Sequence, residues 1–166
     1  ASGEKQPAMS TFEATRPTVG AQALGIARAA YEYSLDYAKE RKAFGKPIIM
    51  NQAIAFKLAN MITEIDAARL LIWRAAWLAH NGGYTNAEGS MSKYKASEVS
   101  VWVTNEAIQI LGGYGYTRDY PVERLMREGG VVCDHQRRDP SRDTAAEGRH
   151  DPFPRCRIEA GRGFVQ

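Results

Sequence analysis

The sequence predicts an all-α fold, an antiparallel up-down helical bundle, on three observations. Apolar residues recur at three-to-four spacing in three long segments, and glycine-containing turns separate the segments. The segments are also matched, at roughly 25, 29 and 26 residues, or ~37–44 Å each at about 1.5 Å per residue. Long helices of equal length joined by short connections pack side by side with alternating direction.

Helix one carries Leu24, Ala27, Tyr31, Leu35 and Ala38 on one face. Its start has two solutions. The Ser10-Thr11-Phe12-Glu13 capping-box pattern places it near Thr11, with a kink at Pro17, whereas the alternative sets Pro17 in the first turn. The helix is expected to stop near Ala43-Phe44-Gly45, with Arg41 and Lys42 against the negative end of the dipole and Gly45 as the left-handed cap. Helix two runs from about Gln52 to His80 with Ile54, Leu58, Met61, Ile65, Ala68, Leu71 or Ile72, and Ala75 inward, and Asn81-Gly82-Gly83 ends it. Helix three spans roughly Asn86 to Leu111, carries Met91, Tyr94, Val99, Trp102, Val103 and Ile108, and ends at Gly112-Gly113. A shorter helix follows from Tyr120 to Arg127, opened by Asp119 as cap and Pro121 in its first turn.

Three amphipathic helices leave an open face, and the fourth helix that would close it has to come after Arg127. There the composition changes. Residues 129–166 contain seven Arg but no Lys, Leu, Met, Tyr or Trp. A stretch so poor in aliphatic side chains cannot offset its ordering entropy by burial, so residues 129–166 are expected to be an aberrant, mostly disordered tail and the last helix missing or disrupted. The organisation is therefore a flexible segment 1–10, a helical domain 11–128 and the tail 129–166.

Composition excludes several classes. A formal charge of +3 on 166 residues is too slight for a nucleic-acid binder, though compatible with an anionic small ligand. No apolar run reaches the ~18 residues of a membrane span, and the start lacks a signal peptide's layout, so a cytoplasmic location is the default expectation. Cys133 and Cys156 do not make a disulfide scaffold, and His80, His135 and His150 form neither a metal cluster nor a nucleophilic triad.

Two corners remain ambiguous. Arg41-Lys42-Ala43-Phe44-Gly45-Lys46 reads either as a dipole-compensated helix end or as an anion site in which a planar guanidinium lies beside an aromatic ring. Gln109-Ile110-Leu111-Gly112-Gly113-Tyr114-Gly115-Tyr116 reads as a C-cap and turn, or as a place where a ligand approaches bare backbone. It is no dinucleotide fingerprint, because it closes a helix and follows no strand.

Five blocks in order carry a resemblance. They are Phe12-Glu13-Ala14-Thr15-Arg16-Pro17, Glu40 to Lys46, Asn51-Gln52-Ala53-Ile54, Gln109 to Tyr116, and Tyr120-Pro121-Val122-Glu123-Arg124-Leu125-Met126-Arg127. Together, over residues 11–128, they resemble the C-terminal helical domain of acyl-CoA dehydrogenases. The resemblance implies FAD-dependent α,β-desaturation of an acyl-CoA thioester, with a glutamate as general base and the flavin as hydride acceptor. It implies that Arg41, Lys42, Ala43 and Phe44 meet the FAD of a neighbouring subunit, that Gln52 touches its adenosine half, and that Gln109, Ile110, Leu111, Gly112 and Gly113 line the diphosphate. Glu13, Ala14, Thr15 and Arg16 correspond to the segment that holds the adenine end of CoA, with Arg16 as the anion partner. It also implies a homo-oligomer, a dimer or a tetramer built as a dimer of dimers.

Two departures limit what the resemblance implies. The family's amino-terminal helical domain and central β-domain, which hold the isoalloxazine and much of the acyl chain, have no counterpart in these residues. Where the family carries its catalytic Glu-Gly-Thr, this chain reads Gly129-Gly130-Val131-Val132-Cys133-Asp134-His135. Some members place the glutamate near the position of Thr15, yet Glu13 is two residues away, roughly 200° around a helix. No catalytic residue is assigned, and these residues are expected to be inactive alone or to need a chain carrying the missing domains. A forward shift of one base lets the codon joins Arg137/Arg138, Arg138/Asp139 and Asp139/Pro140 encode Glu-Gly-Thr, and those from Arg142 to Glu147 encode Glu-Ile-Gln-Arg-Leu. The tail is thus expected to be an out-of-frame translation of a family C-terminus. An acyl-CoA oxidase shares the resemblance, and a different class of reading is a non-catalytic helical oligomerisation or interaction module.

Overall fold

Among the described residues of a computed structural model, four helices follow in the order α1 (Pro7–Glu40), α2 (Gln52–His80), α3 (Asn86–Leu111) and α4 (Val122–Arg137). The model describes the backbone of residues 7–84 and 86–137, and the side chains of residues 14–84 and 87–132. A two-residue hairpin, β1 (Lys42–Ala43) with β2 (Lys46–Pro47), and a 3-10 turn, Ile48–Met50, join α1 to α2. A second 3-10 turn, Gly112–Tyr116, follows α3. We call it the glycine turn.

Helices α2 and α3 have the bounds the caps predict. Gly82, at φ +78°, turns the chain after α2, and the Gly83 N–H donates to the Leu78 carbonyl, the closing bond of a Schellman cap. Gly112, at φ +61°, turns the chain after α3 into the glycine turn. Helix α1 begins earlier than either expected start. Pro7 is its first residue, where a missing N–H costs nothing, and Pro17 lies inside it. Residues 7–10, expected to be flexible, are therefore helical; residues 1–6 lie outside the described residues.

Ion pairs and contacts fix the directions. Lys57 Nζ on α2 pairs with Glu106 Oε2 on α3, and Lys95 Nζ on α3 pairs with Glu64 Oε2 on α2, so one helix rises in number as the other falls. Along α1 and α3 the numbers rise together: Arg16 Nη1 donates to Ser90 Oγ at 2.6 Å, and Gly20 faces Ser92 and Lys93. Up, down, up is the expected topology.

The face of α2 is as the periodicity predicts, with Leu58, Met61, Ile65, Ala68, Ile72 and Ala75 buried; Ile72 rather than Leu71 takes the shared position. The face of α3 differs. Met91 and Tyr94 are exposed and Trp102 is half-buried, while Ser92, Ala96, Ser97, Ser100, Thr104 and Ala107 are buried alongside Val99, Val103 and Ile108. The α1 face likewise consists of Gly20, Ala23, Leu24, Ala27, Ala30, Ser34 and Ala38, with Tyr31 and Leu35 half-buried at its flank. Close approach explains both corrections. A Cβ on Gly20 would stand 3.3 Å from the α3 backbone at Ser92 and Lys93, so this seam excludes large side chains whatever their hydropathy.

Two hydroxyls of α3, Ser97 Oγ and Ser100 Oγ, are buried without a hydrogen-bond partner. Ser97→Ala removes an unsatisfied group at almost no loss of volume. It is expected to raise stability by up to about 1 kcal/mol, read as an increased urea midpoint at unchanged slope.

The short helix expected over Tyr120–Arg127 extends into the first residues of the tail. The last helix starts at Val122, directly after Pro121, whose carbonyl accepts the Leu125 N–H; Asp119 lies in the preceding loop. It continues to Arg137, ten residues past its expected end. Val122 and Val132 are buried, Leu125 and Met126 pack against the core, and a Cβ on Gly129 would stand 2.9 Å from Ser100 Oγ. Aliphatic residues are sparse over residues 129–166 as a whole, yet one apolar residue per turn and a glycine at the closest approach suffice for a docked helix. Residues 138–166, the remainder of that expectation, lie outside the described residues.

Candidate functional site

The two ambiguous corners meet at one end of the bundle. Helix α1 ends at Glu40, and its chain reverses through the hairpin, where Phe44 (φ +53°) and Gly45 (φ +80°) form the two-residue loop. Positive φ at both positions is the type I′ turn, whose twist matches that of the paired strands. Gly45 is therefore a hairpin residue rather than the helix cap expected from sequence. The Ile48 N–H donates to the Arg41 carbonyl at 2.8 Å and the Arg41 N–H to the Tyr37 carbonyl at 2.8 Å, so the neck of the hairpin is fixed from both sides.

Phe44 stands out within it. A phenylalanine in the left-handed region is strained, and this one is 98% exposed, burying nothing in return. Phe44→Gly is expected to relieve the strain, raising stability by about 1 kcal/mol, while weakening any ligand that the ring covers; thermal melts with and without ligand separate the two effects.

The glycine turn supplies the other wall. At Gly112 and Gly113 a Cβ would meet no atom within 4 Å, so bare backbone faces open space there. Gly115 is different: a Cβ on it would stand 2.9 Å from the Ile108 carbonyl oxygen and 3.0 Å from Ile108 Cα, so the turn is seated against α3 at that residue. Gln109 is exposed, whereas the side chains of Ile110 and Leu111 are buried in the core and can face a ligand only through backbone.

Arg41 joins the walls. Its guanidinium carbon lies 5.5 Å from the centroid of the Tyr114 ring, in cation-π range. Beside it, Tyr33, Asp36, Tyr37, Glu40, Arg41 and Tyr120 line an open groove of about 490 Å³. Burial pushes the Tyr37 phenol above its ordinary pKa of 10.0, and the Arg41 charge partly offsets this. The carboxyl ends of α1 and α3 bring partial negative charge, and Arg41, Lys42 and Lys46 oppose it. The amino end of α2, with Gln52 exposed and no side chain capping it, adds partial positive charge. A guanidinium, two ammonium groups, two side-chain amides, open glycine backbone and an exposed ring suit a dinucleotide's diphosphate and base.

The segment expected to hold the CoA adenine end lies elsewhere. Ala14 and Thr15 are exposed on α1, and Arg16 is tied to Ser90. About 24 residues of helix, or about 36 Å, separate Arg16 from Glu40, so one chain does not bring the two sets together. The Glu13 side chain is outside the described ones. Sequence reasoning missed Tyr37, Tyr114 and Tyr120. Tyr33 and Tyr37 at i and i+4 were a visible pair, but nothing local ties them to tyrosines some eighty residues on.

Residues 6–131 match the sequence profile of the acyl-CoA dehydrogenase C-terminal domain. Among curated proteins, the chain is 51% identical over 125 residues to an acyl-CoA dehydrogenase of Bacillus subtilis, covering 75% of this chain and 33% of that one. It is 49% identical over 126 residues to a 3-(aryl)acrylate reductase of Clostridium sporogenes, covering 76% and 33%. Among solved structures, butyryl-CoA dehydrogenase from Megasphaera elsdenii superposes with a TM-score of 0.74 at 46% identity, covering 75% of this chain and 33% of that one. The chain thus spans about a third of the length of the relatives it matches. With residues 6–131 matched to the family's C-terminal domain, and a curated and a solved relative at 51% and 46% identity, the chain belongs to the acyl-CoA dehydrogenase family and corresponds to its C-terminal domain.

Proposed function

We propose that these residues supply one part of an FAD site in an enzyme that desaturates acyl-CoA thioesters between the α and β carbons. The observation that carries the proposal is the placement of Arg41 over Tyr114, which makes the hairpin and the glycine turn two walls of one site. Arg41 and Lys42 bind the diphosphate, with the Arg41 fork giving direction and Lys42 charge. Gln109 lines the diphosphate with Gly112 and Gly113, which let it approach backbone, Gln52 offers its amide to the adenosine half, and Phe44 covers a ring face. FAD, when bound, supplies the hydride acceptor. Arg16, with Glu13, Ala14 and Thr15, serves the anionic end of CoA at the far end of α1.

No residue of the chain is assigned as the base. Helix α1 is regular through residues 13–15, which keeps Glu13 roughly 200° from Thr15, and α4 presents no Glu-Gly-Thr. These 166 residues alone are expected to give no enoyl-CoA product with an electron acceptor. Partners are a second copy of the chain, in a dimer or tetramer, and a chain carrying the flavin-holding domains. The reading of residues 129–166 as out of frame is tested by the nucleotide sequence of codons 120–166: Glu-Gly-Thr in the shifted frame supports it, and its absence ends it.

A second reading has its own observation. On α2, Phe56, Leu70, Trp73 and Trp77 share one face, and both tryptophans are more than 60% exposed, at 63% and 64%. A stripe of this kind marks a protein contact and suits a helical oligomerisation module. Flavin titration followed by sedimentation decides between the two. Stoichiometric quenching of flavin fluorescence supports the FAD site; association without any flavin uptake supports the module.

A further inference from the structure

Four tyrosine rings and one guanidinium form a continuous stack where α1 ends and the glycine turn begins. Tyr120 is at its centre. Its ring meets Tyr33 edge-on at 6.5 Å and 80°, Tyr37 edge-on at 6.2 Å and 90°, and Tyr114 at 5.3 Å and 44°. Tyr33 and Tyr37 are one turn apart on α1, so the far end of the stack rests on the longest helix of the chain. The near end is the Tyr114 ring with Arg41 over it. Perpendicular and tilted rings at these spacings are favourable aromatic pairs, which makes the stack a defined support rather than a chance cluster.

Arg41 needs such a support. Its backbone is held by two hydrogen bonds, yet its side chain is exposed and makes no ion pair among the described residues. An arginine free to rotate loses much side-chain entropy on binding an anion, up to about 2 kcal/mol. A ring within cation-π range of the guanidinium restricts that motion while taking up none of its N–H donors, which stay available to a ligand.

We propose that Tyr114 is a positioning residue, which holds the Arg41 guanidinium ready for the diphosphate and so couples the glycine turn to the hairpin. This rests on the nucleotide reading of the site. The ring, not the hydroxyl, does the positioning, which separates Tyr114→Phe from Tyr114→Leu. Tyr114 is itself partly exposed, so neither substitution opens a core cavity.

The test uses the full chain with isotope-labelled arginine, and ADP as the probe carrying adenosine and diphosphate. In the unsubstituted chain and in Tyr114→Phe, the Arg41 side-chain resonances are expected upfield, shifted by the ring current; in Tyr114→Leu they return to the values of a free arginine. The dissociation constant for ADP, by calorimetry, is expected to rise about two- to fivefold in Tyr114→Leu and to stay unchanged in Tyr114→Phe. Arg41 resonances that are alike in all three chains, or ADP affinity unaffected by Tyr114→Leu, would overturn the proposal. If the ring-current shift follows the substitutions while no chain binds ADP, the Tyr114–Arg41 support stands and the nucleotide reading falls.

Discussion

Gly115→Ala is expected to lower the stability of the chain by about 2 kcal/mol, and the thermal midpoint by about 4–8 °C. The added methyl would stand 2.9 Å from the Ile108 carbonyl oxygen and 3.0 Å from Ile108 Cα, and backbone atoms of a helix do not step aside as a side chain does. Relief comes only from lifting the glycine turn off α3, which moves Tyr114 and the support of Arg41 with it. Gly113→Ala is the matched control. There the methyl meets nothing within 4 Å and φ is not positive, so stability is expected to stay within about 0.5 kcal/mol. Any ligand that approaches the backbone at Gly113 meets that methyl, so nucleotide affinity is expected to fall while the melt is unchanged. Two alanines, two residues apart, therefore separate seating of the turn from its use. Equal melts for the two variants would contradict the account of Gly115.

Arg41→Glu has the largest expected effect on binding. A hydrogen bond to a charged group contributes about 1.5–3 kcal/mol, so loss of the fork alone predicts about a ten- to hundredfold weaker nucleotide, and the reversed charge adds repulsion. Arg41→Lys keeps the charge and loses the planar fork, and its affinity is expected between the two. The melt of Arg41→Lys should match that of the parent, because residue 41 is exposed and its backbone bonds remain, whereas Arg41→Glu sets a negative charge at the carboxyl end of α1 and is expected to cost about 1 kcal/mol. Raising salt weakens binding more in the parent than in Arg41→Glu, where only Lys42 and Lys46 still attract the anion. Calorimetry at two ionic strengths reads all of this.

Where caps and spacing are local, the fold was legible. The pairs Asn81-Gly82 and Gly112-Gly113 mark the ends of α2 and α3, and the face of α2 follows from its large aliphatic residues. Patterns of large apolar residues misplace the face of α3, because a seam of Gly20, alanines and serines is chosen for closeness and not for hydropathy. The hairpin was read as a helix end because two-residue strands leave no periodicity, and only a positive φ at Phe44 reveals the turn. Helix α4 was cut short because its apolar residues are few, although Val122, Leu125, Met126, Gly129 and Val132 fall on one face. As for the site, Arg41 and the paired glycines were visible as separate corners. That they share one end of the bundle depends on the up-down path of three helices, and that Tyr114 joins them depends on packing between residues far apart in sequence.

The exposed stripe on α2 and the site at the hairpin lie on the same chain but make different demands. Phe56, Leu70, Trp73 and Trp77 suit an apolar partner, whereas the role proposed for Arg41, Lys42 and the glycine turn is to hold an anion. Both are met if a copy of the chain covers α2 and leaves the hairpin end open to a nucleotide.

Whether the hairpin and the glycine turn build one nucleotide site is read from amide shifts in the nitrogen-15-labelled chain titrated with FAD. Shifts confined to residues 41–47, Gln52 and residues 109–116, saturating together, are the predicted result. Saturable shifts centred on Leu70, Trp73 and Trp77 instead, or no shifts at either wall, would contradict it.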